Sequence, residues 1–164
     1  MQVQQRGLLL FEQTLSQAAG HHSDEVYKMS SPCFRDLLAK LGDNNTRIRE
    51  KALEAMLQAA ANPSVGRVKI LELLSRPLPS QSCKPLVWTA RIGCSEKVIS
   101  QARISKTPIA KSDLRPTVSL AASGFHSPKE DVRIQAYTLL MELYRAYGRS
   151  DLLDLLQPSL FRKQ

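Results

Sequence analysis

Residues 42–61, GDNNTRIREKALEAMLQAAA, read as a turn followed by an amphipathic helix. Ile48, Ala52, Ala55, Met56 and Ala59 recur at i, i+4, i+7, i+8 and i+11, one face of a helix with 3.6 residues per turn. Gly42 permits the turn, and Asp43 stands where a helix N-cap is expected. The same spacing returns 132 − 48 = 84 positions later, in Val132, Ala136, Leu139, Leu140 and Leu143. Arg133 then matches Arg49, and Ser127 matches Asp43. An apolar stripe is common to many helices. A stripe, an arginine and a capping position shared together indicate an internal repeat.

An offset of 84 is 2 × 42, and a period near 42 fits the roughly 40–47 residues of HEAT and armadillo repeats. It places a divergent middle copy between the two, with its second helix near residue 90. Val87, Ala90, Cys94 and Val98 form one face there. A further stripe, Leu8, Phe11, Leu15 and Ala19, precedes the first clear copy. The element Ile/Val-Arg-x-x-Ala stands as Ile48-Arg49-Glu50-Lys51-Ala52 and as Val132-Arg133-Ile134-Gln135-Ala136.

Caps and breakers then divide the chain into expected helices at 4–20, 32–41, 46–61, 64–75, 84–103, 112–125, 129–147 and 150–160. Gly20 and Gly148 end two of them, and Ser31-Pro32 and Asn62-Pro63 open two others. Three prolines between Pro77 and Pro85 require a loop. Ser127 and Glu130 have the spacing of a capping box, with Pro128 at the first helical position. Phe34, Leu37, Leu38 and Leu41 are expected to face inward in the second helix, and Val68, Leu71 and Leu74 in the fourth. No alternating strand pattern is present. The expected fold is all-α, an α-solenoid of stacked antiparallel helix pairs of the HEAT/armadillo kind, forming a single array over 1–164. Met1 stands almost within the first helix, so the chain reads as the later part of a longer array. Its open N-terminal face would then expose apolar surface and invite dimerisation.

The bulk composition narrows the function. A hydrophobic content of 43% supplies a core, while aromatics at 5% leave Leu and Ala to pack helix on helix. No run approaches the ~18 apolar residues of a membrane helix. The opening MQVQQRGLLLFEQ is too short in its apolar part for a secretion signal. Cys33, Cys83 and Cys94 are odd in number and widely spaced, which argues for reduced thiols in the cytosol. The net charge of +8 favours an acidic partner, and solubility alone accounts for it as well. The cations are scattered rather than clustered, which argues against nucleic acid.

Catalytic motifs are missing. There is no glycine-rich phosphate loop, no G-x-S-x-G elbow, no H-E-x-x-H and no C-x-x-C. His21, His22 and Cys33 match no zinc spacing. Cys94 and Trp88 fall on helices and read as core residues. Asp151 and Asp154 lack a basic partner and read as a cap and an exposed face. The expectation is a protein that is not an enzyme, needs no cofactor and takes no small-molecule substrate.

A binding scaffold remains. Its intra-repeat turns are Gly42–Thr46, Pro77–Lys84 and His126–Asp131, and each carries or precedes a cation. Arg49 and Arg133 occupy the repeat's own arginine position and read as supports of their turns. For Arg47, Lys84 and Lys129, contact with a partner and plain solvation both stand.

The stretches CFRDLLAKLGDNNTRIREKALEAM and SPKEDVRIQAYTLLMELYR resemble a TOG domain, the HEAT-repeat module that binds tubulin. The likeness is strongest to the TOG domain of a ciliary-tip centrosomal protein: a cysteine-led helix, a Gly-Asp turn before an arginine-rich helix, and a long last helix with Val-Arg and a late tyrosine. The resemblance implies that the turns meet tubulin. By position, Asn44, Asn45 and Arg47 would lie in one tubulin-facing turn, Ser82 and Lys84 in the next, and Ser127 and Lys129 in the last. It also implies a place in the cytoplasm, on the cytoskeleton, at a cilium or centriole. The second reading is a generic HEAT/armadillo protein–protein scaffold that binds through helix faces and not to tubulin.

Overall fold

A computed structural model describes residues 23–77 and 84–160, with Gln13. All regular structure among them is helical. The helices are α1 (Ser23–Leu41), α2 (Thr46–Ala61), α3 (Arg67–Leu74), α4 (Pro85–Ile104), α5 (Lys111–Phe125) and α6 (Glu130–Leu160). The helix expected at 4–20 lies outside the described residues. The chain divides into two compact units, Met1–Ile70 and Leu71–Gln164, with the boundary inside α3.

In the first unit, α1 packs on α2. Phe34, Leu37, Leu38 and Leu41 from α1 are buried, as are Ala52, Ala55, Met56 and Ala59 from α2. Ile48 is half-buried, so the stripe holds at four of its five positions. The alanines let the two axes approach closely, and burial of each large side chain contributes about 1.5–3 kcal/mol. Helix α1 starts at Ser23 and runs through Pro32, rather than opening at Ser31-Pro32 as expected. The segment 23–31 contains no glycine or proline to break a helix. Pro32 removes one N–H from the ladder and its ring crowds the carbonyl four residues before it, yet the helix continues on either side.

Helix α2 ends at Asn62, whose N–H donates to the carbonyls of Ala59 and Gln58. Asn62 Oδ1 then accepts from the Ser64 N–H at 2.8 Å, and its carbonyl accepts from Gly66 at 2.8 Å. Gly66 has a φ of +83°. That left-handed residue cannot be helical, so α3 begins at Arg67 and not near residue 64. In this short helix Ile70, Leu71, Leu73 and Leu74 are buried, while Val68, expected inward, is 39% exposed. Starting three residues later changes which positions fall on the inner face.

In the second unit, α6 packs on both α4 and α5. A Cβ on Gly124 of α5 would meet Ala136 Cβ of α6 at 2.8 Å and Ile92 Cδ1 of α4 at 3.0 Å, so three helices converge there. At the other end of α5, Tyr147 Oη accepts from the Ile109 N–H at 3.2 Å, and Lys111 pairs with Asp151. Late α5 against early α6, and the start of α5 against late α6, make that pair antiparallel. Gly93 lies against Gln135, and Arg103 reaches Glu142, so α4 and α6 run parallel. Val132, Ala136, Leu139 and Leu143 are buried as the stripe requires, and Leu140 is half-buried. Cys94 and Val98 of the middle stripe are buried, while Val87, Ala90 and Trp88 are half-buried. The helical phase is interrupted at Gly148, with φ 80° and ψ 176°, where the sequence placed the end of a helix.

Candidate functional site

The two repeat turns are built alike. In the first, Asp43 Oδ1 accepts from the Asn45 N–H at 2.9 Å. In the second, Ser127 Oγ accepts from the Lys129 N–H at 3.2 Å. Across each turn an arginine reaches back. Arg49 Nη1 donates to the carbonyls of Asp43 at 2.8 Å and Asn44 at 3.0 Å. Arg133 Nη1 donates to the carbonyls of Ser127 at 3.0 Å and Pro128 at 3.1 Å. The guanidinium satisfies carbonyls that the following helix cannot reach. Arg49 Nη2 also donates to Thr46 Oγ1 at 2.9 Å. The supporting role expected of both arginines is present in both turns.

The caps differ from the expected ones. Asn45, not Asp43, is the N-cap of α2, its Oδ1 accepting from the Arg47 N–H at 3.0 Å. Asp43 sits two residues earlier and forms a side-chain turn that shapes the loop instead. The Asn45 N–H holds the Asp43 carboxyl below the usual range; burial acts against this, while Lys40 and Arg49 reinforce it. The capping box at Ser127 and Glu130 is not closed. The Ser127 N–H donates to the Gly124 carbonyl at 3.1 Å, continuing the end of α5.

This fixes what each candidate residue offers. Asn45 and Ser127 use their side-chain oxygens within their own turns. Asn44 is exposed, and its carbonyl is held by Arg49. Arg47 and Lys129 are exposed, and their side-chain cations have no ion-pair or hydrogen-bond partner among the described residues. Lys84 is exposed and precedes Pro85 at the start of α4. Ser82 lies outside the described residues. The turns at 42–46 and 126–129 belong to different units, so each is a separate feature.

The sequence reading overlooked Arg91. It stands midway between Arg49 and Arg133, since 91 − 49 = 133 − 91 = 42. Arg91 is buried at 9% exposure, and its Nη1 donates to the Arg76 carbonyl at 3.1 Å. The signal was available in the period itself. Apolar positions alone define the middle stripe, and the arginine marks the same period on a polar position.

A second polar cluster lies between α4 and α6. Glu142 is 2% exposed and accepts from Arg103 Nε at 2.7 Å and from Arg145 Nη1 at 3.4 Å. Burial by itself would raise the Glu142 carboxyl, but Arg103, Arg145 and Ser100 hold it below its usual range. Burial and the neighbouring Glu142 charge push Glu96 up. Burial pushes the Cys94 thiol up to about 12. Among the described residues no three His, Cys, Asp or Glu side chains are grouped to hold a metal, and no helix is long and apolar enough to cross a membrane.

No protein-family model matches the chain, and no curated protein or solved structure matches it.

Proposed function

We propose that this chain is a non-catalytic α-solenoid module that binds tubulin, or another acidic protein surface, through its intra-repeat turns. The observation that carries this reading is the pair of matched turns. Arg49 and Arg133 fix the loop backbones, while Arg47 and Lys129 stand outside them as exposed cations. A loop already ordered loses little entropy on binding, and its cations gain most against an acidic surface. The parallel α4 and α6 with antiparallel α5 between their ends supports the HEAT/armadillo form of the proposal. A cytoskeletal place at a cilium or centriole belongs to the same proposal and rests on the TOG resemblance.

The test is size-exclusion co-elution with tubulin at low and moderate salt, using wild type and the double variant Arg47→Glu/Lys129→Glu. Salt-sensitive co-elution that the variant loses, with helicity unchanged by circular dichroism, is the expected result. Equal co-elution of both proteins would remove the turns from the binding face. No co-elution of a folded wild type would favour the scaffold that does not bind tubulin.

A further inference from the structure

Three hydroxyl residues stand directly before a proline: Ser31, Thr107 and Ser127. That dipeptide is the minimal substrate of proline-directed protein kinases, which read the chain around the acceptor in extended form. The fold separates the three. Ser31 lies inside α1, half-buried and with its backbone in the helix. Ser127 is half-buried and tied into its turn: its N–H donates to the Gly124 carbonyl at 3.1 Å, its Oγ accepts from the Lys129 N–H, and Arg133 holds its carbonyl. Thr107 is exposed, within a run of six exposed residues at 103–108.

The end of α4 produces this presentation. Lys106, with a φ of 53°, turns the chain out of the helix. The Thr107 N–H then donates back to the Ala102 carbonyl at 3.0 Å, which closes the helix end. Pro108 excludes helical backbone at Thr107. Residues 107–110 contain neither helix nor turn, and Ala110 has φ −62° and ψ 141°. The acceptor therefore begins a stretch that is already extended. Its Oγ1 lies 2.7 Å from Ser105 Oγ, in a hydrogen bond on the exposed side. Ile109 fastens the far end of the dipeptide: it is 6% exposed, and its N–H donates to Tyr147 Oη at 3.2 Å.

We propose that Thr107 is a phosphorylation site for a proline-directed protein kinase, and that the Tyr147–Ile109 bond restrains its modification. Thr107 Oγ1 attacks the γ-phosphorus of a nucleoside triphosphate. The new O–P bond forms as the bond to the β-phosphate oxygen breaks, the nucleoside diphosphate leaves, and the hydroxyl proton passes to the kinase's aspartate base. Ile109, two residues after the acceptor, must lift from the protein for the segment to enter a kinase cleft, so the bond to Tyr147 sets part of the opening cost. The product adds about 1.5–2 negative charges between Lys106 and Lys111 at neutral pH. The inference does not rest on the turn-edge reading, because the segment joins α4 to α5 and includes none of Arg47, Lys84 or Lys129.

The experiment incubates the folded full chain with a proline-directed kinase and ATP, and follows each site by mass spectrometry over time. Ser31 and Ser127 are internal controls that carry the same dipeptide. The expected result is phosphorylation of Thr107 at a rate about tenfold or more above either control. Thr107→Ser should keep the site, while Thr107→Ala and Pro108→Ala should lose it, with the fold of each variant checked by circular dichroism. Tyr147→Phe should raise the Thr107 rate about two- to tenfold, the value of one hydrogen bond. Faster modification of Ser31 or Ser127, or none at Thr107 in the folded chain, overturns the proposal. So does undiminished modification of Thr107 in Pro108→Ala, since the site would not be read through its proline. An unchanged rate in Tyr147→Phe overturns the restraint.

Discussion

Arg49 and Arg133, in different units of the molecule, hold their turns with the same pair of bonds: each donates through Nη1 to the carbonyls six and five residues before it. The repeat is therefore a repeat of hydrogen bonds and not of apolar spacing alone. Its arginine is kept because the turn leaves carbonyls outside the reach of any helix N–H. In Arg49 the second nitrogen, Nη2, adds a bond to Thr46 Oγ1, a separate donor that the single ammonium of a lysine does not have.

Replacing the repeat arginines should rank them by burial. Arg133→Ala and Arg49→Ala are expected to lower stability by about 0.5–1.5 kcal/mol each, the scale of a partly solvated hydrogen-bonded group. Arg91→Ala should cost more, about 1.5–3 kcal/mol, because Arg91 is buried and its loss also removes packing. Urea unfolding of the three variants measures this order. An equal loss for all three would show that burial does not set it.

Glu142 should give the second unit an acid-sensitive contribution. Its folded-state pKa lies below the unfolded value, so the folded state binds the proton less well. Its stabilisation is fully present above the usual glutamate range near ~4.3 and is lost as pH falls through the lower folded value. Glu142→Gln should therefore flatten stability against pH between about 5 and 3, and lower it at neutral pH by about 1–3 kcal/mol. Glu96 has the opposite sign. Its pKa is raised, so Glu96→Gln should leave neutral stability equal or higher. Denaturant midpoints taken across that pH range decide both.

Gly124 is a packing position. An added Cβ would stand 2.8 Å from Ala136 Cβ and 3.0 Å from Ile92 Cδ1, on two different helices. Gly124→Ala should lower stability by about 1–3 kcal/mol through overpacking, despite the higher helix propensity of alanine. A gain in stability would mean that α5 can move aside without cost.

Gly148 is a conformational position. Nothing lies within 4 Å of an added Cβ, but φ 80° with ψ 176° is a region essentially confined to glycine. Gly148→Ala should cost about 1–3 kcal/mol by strain, or straighten α6 there and break the Lys111–Asp151 pair. Thermal unfolding combined with Lys111→Ala separates the two. If the pair is already broken, the second substitution adds nothing.

The cysteines should differ in reactivity. Cys33 is exposed, whereas Cys94 is 1% exposed with its thiol pushed up to about 12. Site-resolved thiol labelling near pH 8 is expected to modify Cys33 in the native protein and Cys94 only after unfolding. Rapid native labelling of Cys94 would show that α4 opens locally.

Periodicity by itself determined the helical class, the register of α2 and α6, and the buried faces of α1, α2 and α6, because burial against one neighbour imposes a spacing that survives in sequence. The arginine of each outer repeat was legible from the period, and Arg91 falls on the same period among the polar positions. Local chemistry was less legible. Asp43 and Asn45 are both competent caps, and only the path of the loop assigned one to the helix and the other to the turn. Pro32 marked a helix start in the sequence, yet helix-compatible residues before it carried α1 through. The late start of α3 depends on the left-handed backbone at Gly66, which one glycine permits but does not require. Tertiary structure alone decided that Glu142 turns inward to Arg103 while Ile134, Tyr137 and Tyr144 remain outside. Helix α6 has apolar residues on two opposite faces, and a helix cannot show which face is covered until its neighbours are in place.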